Sequence, residues 1–343
     1  MEQELKALRS ALNATSNVGG IEPVYGAVEI EAKINKMIAD ESPKFSELRN
    51  MIPRVALPGT STEVWNIRTT DNSSTSWGYS TSEGGSNTNT PAQGATVQLY
   101  AATKSVRTDW AVENYLKVAS ASYYNAVQDE MQNAVAIHVD QEEKQIVSGT
   151  DAGAYGDADG FAGLKQIINS FVTIGDTSTV FGVTRASGKT YMDAQVVDGA
   201  AAAFKVSMLD SAMTAQKEVN GRPGMFVVSY KREDEINGKL QAQQRFVAPS
   251  LEIEGGFRLS TYRGVPIVPS RYMDKNGAAD TDTALYLTHK GNFEMKVGKE
   301  TSNTMVAQTR ADETGGYLST YEFLKCKELT KNVIIDDVAV PAV

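Results

Sequence analysis

Nucleophilic and metal chemistry depend on a few side-chain types, and this chain holds few of them: two histidines, His138 and His289, and one cysteine, Cys326. Any Ser/His/Asp or Cys/His arrangement must take one of these two imidazoles as its base. A histidine-rich zinc site needs more imidazoles than exist, and one thiol gives no paired cysteine spacing. His138 stands near Ala134 and Val135 in a stretch of helical period, which reads as a packed or interfacial histidine. His289 ends a strand-like run, Leu287-Thr288-His289-Lys290-Gly291, and reads as a loop histidine with its hydrogen bonds met. Neither is assigned a catalytic role.

Phosphate and cation motifs also fail on position. Gly149, Gly153, Gly156 and Gly160 follow a helical stretch, whereas a nucleotide cradle follows a strand and opens a helix. Gly188-Lys189-Thr190 matches the tail of a phosphate loop, but Val183 occupies the place of its leading glycine. Asp151, Asp157 and Asp159 lie loosely spaced among those glycines, as solvated turn residues do, rather than at calcium-loop intervals. The expectation is a protein with no catalytic, cofactor or metal site.

Composition supports a folded chain. Its 343 residues suggest two compact domains with arms, and 41% hydrophobic with 22% charged residues supply a sizeable core. A net charge of -9 argues against a broad basic surface that grips nucleic-acid phosphates. A single cysteine forms no intrachain disulfide. The start, Met1-Glu2-Gln3-Glu4-Leu5, lacks a signal peptide's basic and apolar blocks, and no apolar run approaches the ~18 residues of a membrane span. These features read as a soluble, cytoplasmic chain.

The elements follow from periodicity. Leu5, Leu8 and Leu12, then Ile30, Ile34, Met37 and Ile38, predict short N-terminal helices, with Ser42-Pro43 opening another that holds Leu48 and Met51. Trp65, Ile67 and Thr69 alternate in one strand, and Val97, Leu99 and Ala101 in a second running from Ala95 to Val106. Between them, 19 of the 27 residues from Thr70 to Thr96 are Ser, Thr, Asn or Gly, which predicts a long hairpin with a polar, projecting tip. Asp109 then reads as the cap of a helix carrying Val112, Leu116, Ala119, Tyr123, Val127, Met131, Ala134 and His138. Ending at Ser148 before Gly149, it would reach about 55 Å. A helix over Ala194–Val219, a turn at 220–224, a strand at Met225–Val228, a helix capped by Ser229 and a strand pair within 257–268 make an α+β region. Phe293, Met295 and Val297 alternate, Thr314-Gly315-Gly316 reads as a hairpin turn, and Tyr317–Leu329 and Val333–Val338 read as closing strands.

In this order the parts resemble the major capsid protein of a tailed phage. The resemblance covers almost the whole chain and rests on three milestones: Ser148-Gly149 with Gly160-Phe161-Ala162-Gly163-Leu164 after the long helix, Arg222-Pro223-Gly224-Met225-Phe226-Val227-Val228-Ser229, and the segment from Phe257 to Val268. It implies an α+β fold of the Hong Kong 97 type. The implied divisions are an N-terminal arm (1–56), an extended hairpin loop (57–109), a peripheral domain (110–191) with a spine helix at 110–148, an axial domain (192–290), and closing strands with a C-terminal return (291–343).

By the same resemblance the chain assembles with itself, as pentamers and hexamers, into an icosahedral shell enclosing double-stranded DNA without sequence-specific binding. A portal protein and a decoration or cement protein are the implied partners. Only about 56 residues precede the hairpin, so a separate scaffold protein is expected rather than an attached one. Trp65, Arg68, Trp77 and Tyr79 are the candidate inter-subunit contacts, the last two as aromatic anchors near the loop tip. Some relatives weld subunits through a lysine on this loop and a neighbour's asparagine. No lysine occurs from Leu57 to Thr103, so cross-linking by that route is not expected. Two rival readings remain open here: an encapsulin-like nanocompartment, which shares the fold but encloses cargo, and a surface adhesin suggested by the Ser/Thr/Asn-rich loop.

Overall fold

The computed structural model describes residues 46–57, 59, 61–69, 95–115, 126–151, 160–243, 251–252, 258–273, 281–282, 285–306 and 313–339. The chain enters through α1 (Glu47–Met51), whose cap Ser46 accepts the Arg49 N–H on its hydroxyl oxygen at 3.1 Å. After β1 (Arg54–Ala56) come β2 (Thr62–Arg68) and β3 (Thr96–Ala102), paired antiparallel from Thr62↔Ala102 to Arg68↔Thr96. The alternation read from sequence is kept: Ile67, Leu99 and Ala101 are buried on one face, while Val64 and Tyr100 are exposed on the other.

β4 (Lys104–Glu113) follows, then α2 (Ala126–Ser148). α3 (Leu164–Ile167), α4 (Phe171–Ile174) and a small hairpin of β5 (Thr179–Val180) with β6 (Val183–Thr184) lead into β7 (Gln195–Ala202). Next come α5 (Val206–Glu218), β8 (Pro223–Val228) and α6 (Tyr230–Gln243). Ser229 caps α6 as expected, its hydroxyl oxygen accepting the Arg232 N–H at 3.2 Å. Short strands β9 (Leu251–Glu252), β10 (Arg258–Leu259) and β11 (Thr261–Tyr262) precede β12 (Val265–Pro269). The chain closes through β13 (Thr281–Asp282), β14 (Leu285–His289), β15 (Phe293–Val306), β16 (Glu313–Cys326) and β17 (Val333–Ala339).

Two sheets carry the core. The first has the order β1-β15-β16-β4, with β1 parallel to β15 and the other pairs antiparallel. Helix α2 lies on one face, where Met131, Ala134, Val135 and Val139 pack on Trp110, Val112 and Leu318. The second has the order β11-β12-β8-β14-β17, with β13 and β7 also paired to β17. Leu209, Ala212, Ile236 and Leu240 of α5 and α6 cover it, against Phe226, Val228, Leu285 and Ile335. Each Val, Leu, Ile, Phe or Met side chain among these, taken fully out of water, contributes about 1.5–3 kcal/mol.

Three expectations are corrected. The stretch predicted to open the long helix is strand β4, matched residue for residue to β16 from Lys104↔Glu322 to Glu113↔Glu313. Asp109 therefore caps no helix. Trp110 and Val112, each 4% exposed, alternate at the period of a strand and face α2, and this period-two burial against a partner outweighs the weaker period-four reading. The second expected strand accordingly divides at Thr103, whose N–H bonds Ser61 O at 2.8 Å: β3 serves the hairpin and β4 serves the sheet. The described helix α2 has 23 residues and spans about 35 Å. Leu116, Ala119 and Tyr123 lie outside the described residues.

The first half of the expected helix at Ala194–Val219 is β7, drawn into parallel pairing with β17 at Gln195↔Val333, Val196↔Ile334 and Val197↔Ile335. Helix begins only at Val206. Thr314-Gly315-Gly316 is no turn but lies within β16, opposite Met305 and Val306 and beside Trp110 and Ala111. A side chain on residue 316 would run into Thr304 O, 2.6 Å from an ideal Cβ, with the Trp110 ring at 3.2 Å. The N-terminal helices, Ser42-Pro43, and Asp157 with Asp159 fall outside the described residues.

Candidate functional site

The root of the β2–β3 hairpin is fixed to its own subunit. Trp65 meets Phe181 edge to face, with ring centroids 5.0 Å apart at 68°. The Lys325 ammonium sits 4.9 Å above the Trp65 ring and 2.6 Å from Glu63 Oε1. On the other strand, Tyr100 donates its N–H to Phe181 O at 3.2 Å and lays its ring over Gly182. A Cβ on Gly182 would stand 2.0 Å from that ring, and the residue's φ of +80° is one that only glycine adopts without strain. The small β5–β6 hairpin is thus a pedestal for the larger one.

Of the candidate contact residues, Trp65 is placed in this intramolecular seat, half-buried against the core. Arg68 is exposed at the far end of β2, where the described part of the hairpin stops. Trp77 and Tyr79 lie outside the described residues. The outward face of the root carries the cross-strand pair Val64 and Tyr100, 52% and 47% exposed.

A buried polar cluster joins the entering segment to helix and sheet. Arg49 of α1 pairs through Nε with Glu142 Oε2, both nearly or fully buried. Arg54 of β1 places NH2 2.9 Å from Glu322 Oε2 and 3.0 Å from Glu300 Oε2. Burial and the nearby Glu142 push the Glu322 carboxyl up to about 8, against the pull of Arg54 and Arg49. His138, 1% exposed, is within hydrogen-bond distance of Thr108 Oγ1 through Nδ1, at 3.0 Å, and of Thr320 Oγ1 through Nε2, at 2.7 Å. Burial lowers its pKa, Glu142 opposes that, and Arg49 and Arg54 reinforce it. A neutral imidazole is therefore the brace between α2, β4 and β16.

Sequence reasoning missed the rest of this cluster. Glu142 follows His138 by one helical turn, so a carboxylate on the buried stripe was its one available signal. Nothing local marked Arg185, which is fully buried and donates to the carbonyls of Gln166, Ile167 and Met192 and to Asp176 Oδ2 at 2.7–3.0 Å. It ties α3 to the pedestal hairpin. The glycines after α2 serve close packing: Gly163 donates its N–H to Gly149 O at 2.9 Å, and a Cβ on Gly163 would lie 2.7 Å from Gly149 N.

The other reactive groups are also structural. His289 Nδ1 accepts the Arg222 N–H at 2.7 Å and its pKa is lowered, chiefly by burial. Cys326 is buried, and burial pushes its thiol up to about 12, far from a reactive thiolate. Among the described residues no group of three or more His, Cys, Asp or Glu side chains is placed to hold a metal ion, and no helix is long and apolar enough to cross a membrane.

The pieces assembled here are a hairpin rooted on the core, a long helix on a sheet of extended strands and a second sheet with two covering helices. They define the Hong Kong 97 class of shell-forming proteins. Solved structures agree in fold. The capsid of cyanophage A-1(L) superimposes with a TM-score of 0.65 at 13% identity, covering 85% of this chain and 92% of that one. A chain of Mycobacterium phage Ogopogo gives 0.55 at 10%, covering 86% and 93%. The SrpI encapsulin of Synechococcus elongatus PCC 7942 gives 0.57 at 12%, covering 86% and 88%. No curated protein matches the chain in sequence. The family model of the SU10 major capsid protein matches residues 13–339, and the chain belongs to that family. It is the major capsid protein of a tailed phage, a component of the virion that assembles with itself into shells. Family membership favours this over the nanocompartment, whose fold is shared, and over the adhesin.

Proposed function

We propose that the chain forms pentamers and hexamers that close into an icosahedral shell around double-stranded DNA, and that it catalyses no reaction. The observation that carries this reading is the hairpin root. A hairpin pinned at its base by Trp65, Phe181 and Gly182, with Val64 and Tyr100 exposed on its outer face, is built to hold a long loop away from its own subunit and across a neighbour. Arg68, Trp77 and Tyr79 are the proposed contacts along that reach, with Trp65 setting its direction. Extended arms bury more surface between neighbours than a compact edge does.

The proposed divisions keep the arm at 1–56 and the axial domain at 192–290. β4 is moved from the helix into the peripheral sheet. Assembly would take place in the host cytoplasm with a separate scaffold protein, a portal and a decoration or cement protein. Expression with and without the companion proteins, followed by light scattering and negative-stain microscopy, tests this. Closed particles of megadalton mass are expected, and a compact monomer under every assembly condition would overturn the reading.

A further inference from the structure

β4 stands at one end of its sheet. β16 covers one edge of this ten-residue strand, and among the described residues no strand pairs with the other. Open edges of this length template pairing with another chain. Helix α2 covers a face of β4 rather than that edge, meeting Thr108, Trp110 and Val112. On the opposite face Ser105, Arg107, Asp109, Ala111 and Glu113 are exposed.

We propose that this edge docks a second copy of the same edge: two β4 strands pair antiparallel about a two-fold axis at Thr108, joining two four-stranded sheets into one of eight. The inference rests on the shell reading and names one of its contacts. Charge order selects both the partner and the register. Residues directly opposite across an antiparallel pair point to the same face. With Thr108 facing Thr108, Arg107 of each copy faces Asp109 of the other, and Ser105 faces Ala111. Moving the centre one residue either way sets Arg107 against Arg107 or Asp109 against Asp109. Like charges placed so are destabilising, so the sequence of this edge favours one register. The contact is isologous and closes on itself.

Within one copy, Arg107 Nε and Asp109 Oδ1 already bridge at 2.8 Å, with side chains 56% and 69% exposed. An exposed pair like this is worth little alone, so regrouping into a four-residue network across the axis costs little. Arg107 also stacks 4.1 Å over the Tyr317 ring of β16, which keeps the guanidinium on the exposed face of the sheet until a partner strand offers it a carboxylate.

The test uses the full chain with Arg107→Glu and Asp109→Arg made singly. Alone, each variant sets like charges opposite at both positions, and its particle yield should fall by about tenfold. Mixed in equal amounts, the two restore opposite charges at both positions, and yield should recover, which loss of folding would not allow. Independently, Arg107→Cys mixed with Asp109→Cys should give an oxidised band at twice the subunit mass, and neither should do so alone. Single charge variants that assemble like the unaltered chain, with no cross-link in the cysteine mixture, overturn the pairing while leaving the shell reading intact. If the unaltered chain forms no particles, the shell reading falls, and the cysteine mixture still decides the edge: a band supports pairing and its absence rejects it.

Discussion

His138 of the long helix and Thr320 of the last long strand are 182 residues apart, yet their Nε2 and Oγ1 atoms lie 2.7 Å from each other in a site closed to solvent. The imidazole touches Thr108 on its other side, so one side chain fastens a helix to two neighbouring strands. His138→Leu would remove a hydrogen-bond partner from the half-buried Thr108 hydroxyl and from the buried Thr320 hydroxyl, which keeps Thr301 Oγ1 at 2.9 Å, at about 1–3 kcal/mol in all. The pH dependence is also set. A histidine whose folded pKa lies below its unfolded 6.5 stabilises the fold above 6.5, and this is lost as pH falls through 6.5 towards the folded value. Urea melts from pH 7.5 to 5 should show a steeper loss for the parent than for His138→Leu.

Glu322 titrates in the opposite sense. Its folded pKa of about 8 exceeds the unfolded 4.5, so its contribution is complete below 4.5 and is lost as pH rises towards 8. Relative to the parent, Glu322→Gln should gain in thermal stability as pH is raised from 5 to 9. A difference between the two that stays constant across that range would show that burial of the Glu142–Glu322 pair does not govern this site.

The pedestal under the hairpin is tested at Gly182. Gly182→Ala drives a methyl into the Tyr100 ring and imposes a left-handed backbone on a residue with a Cβ, at about 1–2 kcal/mol for the backbone alone. The isolated subunit should lose several degrees in Tm, and assembly should fall further than stability does, because the loop's direction changes. Tyr100→Ala in the same chain removes the clash and should return part of the stability. No return would place the cost in the backbone alone.

A proline at Val135, in the middle of α2 and 1% exposed, should cost about 3 kcal/mol or more and abolish soluble folding. Asn133→Ala, on the exposed side of the same turn, is the control and should leave circular dichroism and assembly unchanged. Normal shells from Val135→Pro would contradict a continuous helix.

Mature particles boiled in denaturing detergent should run as one band near 37.0 kDa. Lys104 is the first lysine after the hairpin and stands at the start of β4, paired in register with Glu322. A ladder of multimers would mean a covalent weld by another route.

The sequence by itself determined the fold class, the hairpin root, the capping serine of α6 and the strands at 223–228 and 333–339. These depend on local signals: alternation, capping and the order of the elements. Tertiary structure decided whatever depended on a distant partner. Lys104–Glu113 became strand because β16 offered ten matched positions, and Gln195–Ala202 because β17 offered a parallel edge. Gly315 and Gly316 marked no turn because the strand runs through them beneath Trp110. The meeting of Arg49, Arg54, Glu142 and Glu322 was illegible for the same reason: buried charges are tolerated only when partnered, and their partners come from segments up to 268 residues away.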